Sequence, residues 1–278
     1  MPKSIPLSAF KNNSRPGSTI LCYEGAWGDS VFKTWDDFLE ETAELRRIIN
    51  AQSALCGKKW LLYCEDCWYF LLALTALLQC KKEVLLSANV SPAYIEEIRN
   101  VTPGVTVPFL TDYVFPEGES PQNAFYIPSL FKDRQKTGKP AAAGPAINPD
   151  ETSIIMYTSG STGKPKAVQQ RLTEFEADNR FIISKWGDEF LKRKLFSTVS
   201  QHHIYGFLFS ILLPFTLGAP LRRRRIEFPE EMEKLSDTEY MIITVPAFLK
   251  RAKDPAGLQT ADMVEILDDG RFLLLHYC

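Results

Sequence analysis

The sequence predicts an α/β fold with layered, largely parallel sheets and flanking helices. Short apolar runs with the length of buried strands alternate with helical stretches along most of the chain. Strands that alternate with helices pack as parallel sheets covered on both faces. Apolar residues make up 45% and charged residues 24% of the 278 residues, so the chain can bury a sizeable core. These values exclude a disordered tail or a fibrous repeat.

The amino-terminal elements follow from capping and periodicity. Thr34 and Asp37 fit a capping box, and apolar residues then recur at helical spacing up to Ile49. Asp66 can cap a helix over residues 68–78, and Ser91 before Pro92 is typical of another helix start. Strands are predicted at residues 60–63, 84–86 and 105–110, the last as an edge strand because Pro108 has no N–H to donate.

Regular alternation resumes after a stretch rich in proline and glycine. We predict strands at residues 154–156, 195–199 and 241–245, and helices from Thr173, over residues 205–215 and from Pro246. The predicted organisation is a first α/β lobe (1–115), a connection (116–150), a second α/β lobe (151–255) and a divergent tail (256–278).

Charge and hydropathy restrict the class of protein. Lys and Arg total 32 and Asp and Glu total 34, a net charge of −2 that does not favour nucleic acid or anionic lipid as a partner. The longest apolar stretch, residues 68–78, is too short to span a bilayer, and the first residues have no apolar signal region. We therefore expect a soluble cytoplasmic protein with reduced thiols, since six cysteines are too few for a disulfide scaffold.

A loop after the strand at 154–156 is the most informative segment. Its residues are Thr158, Ser159, Gly160, Ser161, Thr162, Gly163, Lys164, Pro165 and Lys166. Glycines let backbone N–H groups approach phosphate oxygens, hydroxyls donate further hydrogen bonds, and lysine neutralises charge. The spacing is not that of a Walker A loop, which needs four residues between the glycines and Ser or Thr after the lysine. The alternative is an ordinary Ser/Gly loop with no ligand.

This loop closely resembles the signature of the adenylate-forming superfamily, which includes acyl-CoA synthetases, luciferases and peptide adenylation domains. The match runs from Thr158 to Lys166 and departs at Ala167, where the family has glycine. His203 and Gly206 resemble the family's next motif, His-x-x-Gly, about 40 residues later. Hydrogen-bonded structural histidines are the alternative interpretation of that second segment. The resemblance extends over roughly residues 30 to 253.

The resemblance implies a two-step, ATP-dependent ligase. A carboxylate attacks the α-phosphate of ATP and releases pyrophosphate, and a thiol such as that of coenzyme A then displaces AMP from the acyl-adenylate. It implies that residues 158–164 and Lys166 bind the phosphates of ATP with Mg²⁺, that Lys166 and His203 are catalytic, and that His203 and Gly206 contact a small carboxylic acid, for instance in fatty acid metabolism. No residue is assigned as a metal ligand.

Later motifs of the family do not occur in this sequence. The Tyr-Gly-x-Thr-Glu segment, the ribose-binding Asp motif and the carboxy-terminal domain with the adenylation lysine are absent. We therefore expect an incomplete amino-terminal domain, arising by truncation, a split gene or a frameshift near residue 255, with a second polypeptide supplying the missing half. The alternative is a non-catalytic remnant that binds a nucleotide or a partner protein.

Two other features have competing interpretations. The Cys64-x-x-Cys67 pair fits either a metal or redox site or buried structural thiols, and the second is favoured because no further ligand pair is near in sequence. Arginines at 222–225 fit either contacts to phosphates, including those of nucleic acid, or a solvated strand edge paired with Glu227, Glu230 and Glu231. The second is again favoured.

The 278-residue chain alone should bind ATP weakly and form no adenylate, because its sequence contains a phosphate loop without the family's adenine and ribose motifs. Carboxylate-dependent exchange between ATP and labelled pyrophosphate measures this. Robust exchange by the purified chain would contradict the prediction.

Overall fold

A computed structural model describes residues 4–25, 30–52, 57–87, 89–100, 107–132, 141–159, 165–235, 240–249, 251, 263–267 and 272–277. The chain divides into two compact units. The six-stranded unit comprises residues 7–16 and 36–176, and the seven-stranded unit comprises residues 1–6, 17–35 and 177–278.

The strands are β1 (Ile20–Glu24), β2 (Val31–Thr34), β3 (Lys59–Tyr63), β4 (Glu83–Ser87), β5 (Phe109–Thr111), β6 (Ala124–Tyr126), β7 (Ser153–Ser159), β8 (Pro165–Arg171), β9 (Lys194–Ser197), β10 (Leu221–Arg222), β11 (Tyr240–Thr244), β12 (Met263–Leu267) and β13 (Phe272–Tyr277). The α-helices are α1 (Trp35–Gln52), α2 (Cys67–Gln79), α3 (Pro92–Asn100), α4 (Ile127–Leu130), α5 (Leu172–Lys192), α6 (Ile204–Phe207), α7 (Leu213–Leu217) and α8 (Pro246–Leu249). A π-helix (Leu208–Leu212) joins α6 to α7, and 3₁₀ turns lie at Asn12–Ser14 and Pro229–Leu235.

The six-stranded sheet has the order β6-β5-β3-β4-β7-β8 and is parallel except for the β7–β8 pair. The prediction of an edge strand at 105–110 is wrong for its described part, because β5 pairs with β3 on one side and β6 on the other. Pro108 precedes β5, and its carbonyl accepts a hydrogen bond from the Leu61 amide at 2.9 Å. Proline lacks only a donor, so this position costs the sheet nothing.

Helix α2 is buried along nearly its whole length, which explains its uniform apolarity. Its start is fixed by two carboxylates. Asp66 Oδ1 accepts from the Trp68 amide at 2.9 Å, and Asp112 accepts from the amides of Glu65 and Asp66 at 2.8 and 2.9 Å. The indole of Trp68 donates to Glu41 of α1 at 2.7 Å, so α1 and α2 share a buried polar contact. The predicted cap at Asp66 is confirmed.

Helix α3 covers one face of the six-stranded sheet. Ile95 and Ile98 of α3 are buried and join a core cluster with alternate residues of the strands, among them Leu61, Leu85 and Tyr157. Residues two apart on a strand point to the same face, so this cluster defines the covered side. The period-2 register places Tyr157 at the end of β7 within the core.

The seven-stranded sheet has the order β12-β13-β11-β9-β10-β1-β2. Strands β11, β9, β10 and β1 are parallel neighbours, and the pairs that involve β2, β12 and β13 are antiparallel. Tyr23, Phe196 and Tyr240 are buried at its centre, and the Tyr23 hydroxyl donates to the Leu195 carbonyl at 3.0 Å. The predicted α/β fold with largely parallel sheets is therefore confirmed.

Tertiary pairing groups the strands differently from their order in the sequence. β7 and β8 pair into the same sheet as β3 and β4, and β1 and β2 pair into the sheet that contains β9 and β11. The stretch predicted as a connection, residues 116–150, contains β6 and α4. The predicted boundaries of the two lobes therefore stay a prediction.

Among the described helices, none combines the length and apolarity that a membrane crossing requires.

Replacing Asp66 with alanine should lower the free energy of unfolding by about 1 kcal/mol, since the variant leaves the Trp68 amide without its cap. Asp66→Asn, which keeps a side-chain oxygen, is the matched control and should retain most of the stability. Denaturant unfolding followed by circular dichroism measures both variants. Equal losses in the two would show that the cap contributes little.

Candidate functional site

The two ends of the predicted phosphate loop are paired strands. In the β7–β8 hairpin the Cα of Thr158 lies opposite that of Lys166, and Ser159 lies opposite Pro165. The remaining loop residues, Gly160, Ser161, Thr162, Gly163 and Lys164, lie outside the described residues. The sequence predicted the strand before the loop but not β8 after it, because β8 is polar and exposed and lacks an apolar period.

Strand β7 of the hairpin ends at the carboxyl edge of the six-stranded sheet. β7 is parallel to β4, and Tyr157 lies opposite Ser87, the last residue of β4. β3 and β5 run in the same direction, so their ends, Tyr63 and Thr111, lie at this edge as well. In open α/β sheets, ligands bind outside the carboxyl ends of parallel strands. The hairpin therefore places residues 158 and 166 at an edge suited to ligand binding.

Lys166 is exposed and is the second residue of β8, directly after Pro165. Because β8 is paired with β7 from Ser153 to Ser159, the backbone that carries Lys166 is held by the sheet. The side chain of Lys166 therefore starts from a backbone position that the sheet holds in register.

The predicted histidine segment lies at the carboxyl edge of the other sheet. His202 is 2% exposed, and a hydrogen bond of 2.7 Å joins its Nδ1 to Ser200 Oγ. His203 is exposed and occupies the N-cap position of α6. Burial lowers the pKa of His202 to about 3, with smaller contributions from His203 and Arg225. His203 is exposed to solvent but partly desolvated by its neighbours, and this desolvation, followed by Arg225, lowers its pKa. His202 is therefore held neutral at physiological pH.

Gly206 is required by a close backbone approach. A Cβ at this position would lie 2.0 Å from the carbonyl oxygen of Ser200 and 2.6 Å from its carbonyl carbon. Backbone atoms cannot move aside as a flexible side chain can, so any larger residue would push α6 away from the 200–201 segment. The spacing between His203 and Gly206 thus has a structural reason: glycine lets α6 start directly against the segment that carries the histidine.

Hydroxyl groups connect the strand ends around this segment. Thr198 and Thr244 Oγ1 atoms are 2.7 Å apart, and the Tyr205 hydroxyl donates to the Thr244 carbonyl at 3.2 Å. Ser210 donates to Ser197 Oγ at 2.9 Å. These bonds tie the ends of β9 and β11 to α6 and the following π-helix. Sequence reasoning missed this cluster, since its members are distant in the chain and no spacing connects them.

The residues of the predicted site are divided between the two units. Thr158, Ser159 and Lys166 belong to the six-stranded unit, and His203 and Gly206 belong to the seven-stranded unit. The roles assigned to these residues stay predictions.

The cysteine pair behaves as buried thiols. Cys64 and Cys67 are buried and form no disulfide, and burial raises the pKa of Cys64 well above its usual value, with Asp112 and Asp66 adding to the effect. A raised pKa disfavours the reactive thiolate. Among the described residues, no group of three or more His, Cys, Asp or Glu side chains could hold a metal ion.

The arginine run is paired with acidic residues. Arg225 binds Glu227 at 2.8 Å, Arg222 lies 3.7 Å from Glu231, and Arg223 binds Glu24 of β1 at 2.9 Å. Two of these pairs agree with the predicted partners Glu227 and Glu231. The predicted solvated edge is wrong for Arg222 and Arg223, because β10 lies between β9 and β1 and Arg223 is buried.

The His202→Asn variant should lose part of the pH dependence of stability. The pKa of His202 is about 3 in the folded state and near 6.5 in an unfolded chain, so the unfolded state binds more protons as the pH falls between these values. This histidine therefore destabilises the wild type on acidification by up to about 1.4 kcal/mol per pH unit, and asparagine does not.

Denaturant unfolding of both proteins between about pH 7 and about pH 4 measures this difference. The difference in the free energy of unfolding between wild type and variant should change steadily across this pH range, because the two proteins share all other titrating groups. Parallel curves would contradict a buried neutral imidazole.

Comparison with known proteins gives a family and distant relatives. A family model described as AMP-binding enzyme matches residues 11–262. A malonate–CoA ligase of Arabidopsis thaliana is 27% identical over 118 residues, 37% of this chain and 19% of that protein. A probable CoA ligase of Humulus lupulus is 31% identical over 92 residues, 33% of this chain and 16% of that protein.

Solved structures agree with the fold. An acyl-CoA synthetase of Brucella canis superposes with a TM-score of 0.64 at 13% identity, over 90% of this chain and 49% of that one. An o-succinylbenzoate CoA synthetase of Bacillus subtilis, in complex with its acyl-adenylate intermediate, gives 0.61 at 18% identity, over 81% of this chain and 57% of that one. The chain thus spans about half the length of these structures.

The family match covers most of the chain, and the sheets have the α/β fold of the amino-terminal part of adenylate-forming enzymes. The chain is a member of the AMP-binding enzyme family.

Proposed function

We propose that the chain acts in the ATP-dependent activation of a carboxylic acid and its transfer to a thiol, as an acid–thiol ligase of the acyl-CoA synthetase type. The observation that carries the proposal is the β7–β8 hairpin, which sets Thr158 opposite Lys166 at the carboxyl edge of a parallel sheet. The glycine and hydroxyl residues of the predicted phosphate loop are connected to the sheet at these two points.

The proposed reaction has two balanced steps. A carboxylate oxygen of the acid bonds to the α-phosphorus of ATP, the bond to the bridging oxygen breaks, and pyrophosphate leaves with that electron pair. A thiolate, such as that of coenzyme A, then bonds to the acyl carbon, the bond from that carbon to the phosphate oxygen breaks, and AMP leaves with that electron pair. Both steps depend on charge neutralisation and positioning, so donors fixed before the ligand binds contribute most.

The six-stranded unit would bind the departing phosphates. The ammonium of Lys166, exposed on a strand whose register is fixed by β7, can approach the β- and γ-phosphate oxygens. The hydroxyls of residues 158, 159, 161 and 162 and the amides at Gly160 and Gly163 would donate to the same oxygens. Magnesium, which the family resemblance implies, would be bound together with the nucleotide.

The seven-stranded unit would contact the acid. His203 is exposed at the start of α6, and its lowered pKa favours a neutral imidazole. A neutral ring can donate or accept a hydrogen bond at a carboxylate without adding charge. Because Gly206 has no side chain, α6 can pack directly against the backbone of Ser200. This packing would set the position of His203 for its contact with the acid. A second polypeptide with the remaining motifs of the family would complete the reaction.

Lys166→Ala tests the phosphate contact. ATP and pyrophosphate should raise the melting temperature of the wild-type chain, and the variant should bind both roughly tenfold more weakly, because a charge-assisted hydrogen bond is lost. Gln169→Ala, which also changes an exposed side chain of β8 but away from the loop, is the control and should bind as the wild type does. Calorimetric titration measures the affinities.

Measurements of ATP binding and of turnover distinguish a ligase from a non-catalytic remnant. Binding of ATP that depends on Lys166, with turnover once a polypeptide bearing the missing motifs is added, supports the ligase. The same binding without turnover in any such mixture favours a non-catalytic nucleotide-binding remnant. A wild-type chain that is not stabilised by ATP or pyrophosphate would contradict both.

A further inference from the structure

A second concave site lies in the six-stranded unit, at the carboxyl ends of β5 and β6. Its volume is about 190 Å³, and three aromatic residues, Tyr113, Phe115 and Tyr126, contribute to its walls together with the hydroxyl residues Thr111 and Ser120. None of these residues has a part in the function proposed above. The proposed ligase activity therefore does not account for this pocket.

Two of the aromatic walls are held rigidly by their neighbours. The rings of Tyr113 and Phe115 meet at 75° with centroids 4.9 Å apart, which forms a corner. Behind them, Tyr113 packs edge-on against Tyr63, and Phe115 packs against the buried Phe109. Rings supported in this way lose little entropy when a ligand binds, so their faces are preorganised.

The third wall and the rim are open to solvent. Tyr126 at the end of β6 is 36% exposed, and Val114, which also lines the pocket, is 70% exposed. Large aromatic and aliphatic side chains in a concave, accessible position are typical of a binding site and not of a packed core. A cavity of about 150 Å³ is known to hold benzene, so this one accepts a single ring or a small head group.

Two acidic residues lie on a turn between lining residues of the pocket. A turn from Pro116 to Glu119, closed by a hydrogen bond of 3.0 Å from the Glu119 amide to the Pro116 carbonyl, connects the lining residues Phe115 and Ser120. Gly118 takes a φ of 81° in this turn, a conformation that glycine adopts without strain. The turn carries two exposed carboxylates, Glu117 and Glu119, and no lining residue is a lysine or arginine.

We propose that this pocket binds an organic cation with an apolar surface, of the alkylammonium class. Aromatic faces attract cations through their quadrupole, and the attraction strengthens as the cation is desolvated. The methyl groups of such a head fit the corner of Tyr113 and Phe115, and the carboxylates of Glu117 and Glu119 complement its charge. The same chemistry occurs in free quaternary ammonium compounds and in methylated lysine side chains of proteins.

Titration of the full chain with tetramethylammonium chloride, followed by NMR, tests the proposal, with sodium chloride as the ionic-strength control. We expect saturable shifts at millimolar concentration and clearly weaker binding of neopentyl alcohol, a neutral molecule of similar shape. Tyr126→Leu should weaken binding roughly fivefold, because it removes an aromatic face, while Tyr126→Phe should bind as the wild type does.

The Glu117→Gln, Glu119→Gln double variant should weaken binding roughly threefold and reduce its salt dependence. Glu151→Gln, at another exposed acidic site of the same unit, is the matched control and should change nothing. Tighter binding of a trimethyllysine peptide than of tetramethylammonium would indicate a protein partner, and equal binding a free ammonium ligand.

Absence of saturable binding would overturn the proposal. Equal affinity for the cation and for neopentyl alcohol would also overturn it, because the pocket would then select shape without charge. The experiment contains no ATP or acid, so its result is independent of the proposed ligase activity.

Discussion

The position of β7 between a parallel and an antiparallel neighbour is the constraint on which the site depends. Its pairing with β4 sets the depth at which β7 ends at the carboxyl edge, and its pairing with β8 returns the chain in register from Pro165 onward. A slip of one residue between β7 and β4 would turn Tyr157 out of the core and move every side chain of β7 to the other face. Burial of the Tyr157 ring therefore fixes the register at the β7 end of the predicted phosphate loop.

Helix α2 supports this arrangement from within the same unit. It is almost wholly buried, so its polar ends must be satisfied by protein groups, and Asp66 and Asp112 accept hydrogen bonds from the amides at its start. Asp112 follows β5 directly, which ties the start of the helix to the edge where the strands end. Burial raises the pKa of Asp112 to about 6, and the two amide donors act against that rise.

The two adjacent histidines of the predicted site differ in their exposure to solvent. His202 is enclosed and hydrogen-bonded to Ser200, whereas the adjacent His203 occupies the N-cap position of α6 and is exposed. A strand or loop that alternates its side chains between core and solvent gives adjacent residues opposite environments. The environments of the two residues therefore differ: the His202 ring is part of the core, and His203 is exposed.

Much of this could be predicted from the sequence, because it is local. The strands at 60–63, 84–86, 154–156 and 241–245, the cap at Asp66 and the start of α3 at Pro92 follow from apolar runs and from residues that satisfy or lack a backbone donor. The phosphate-loop motif and the family were also apparent, since a run of consecutive residues carries them.

Only the tertiary structure decided what depends on pairing between distant segments. It placed β5 inside a sheet despite Pro108, assigned β1 and β2 to the sheet of β9 and β11, and brought Thr198, Tyr205 and Thr244 together. It also gave the reason for glycine at position 206, where the obstacle is the backbone of Ser200. Local propensity does not encode which strand lies beside which, because that choice is made by burial of both faces at once.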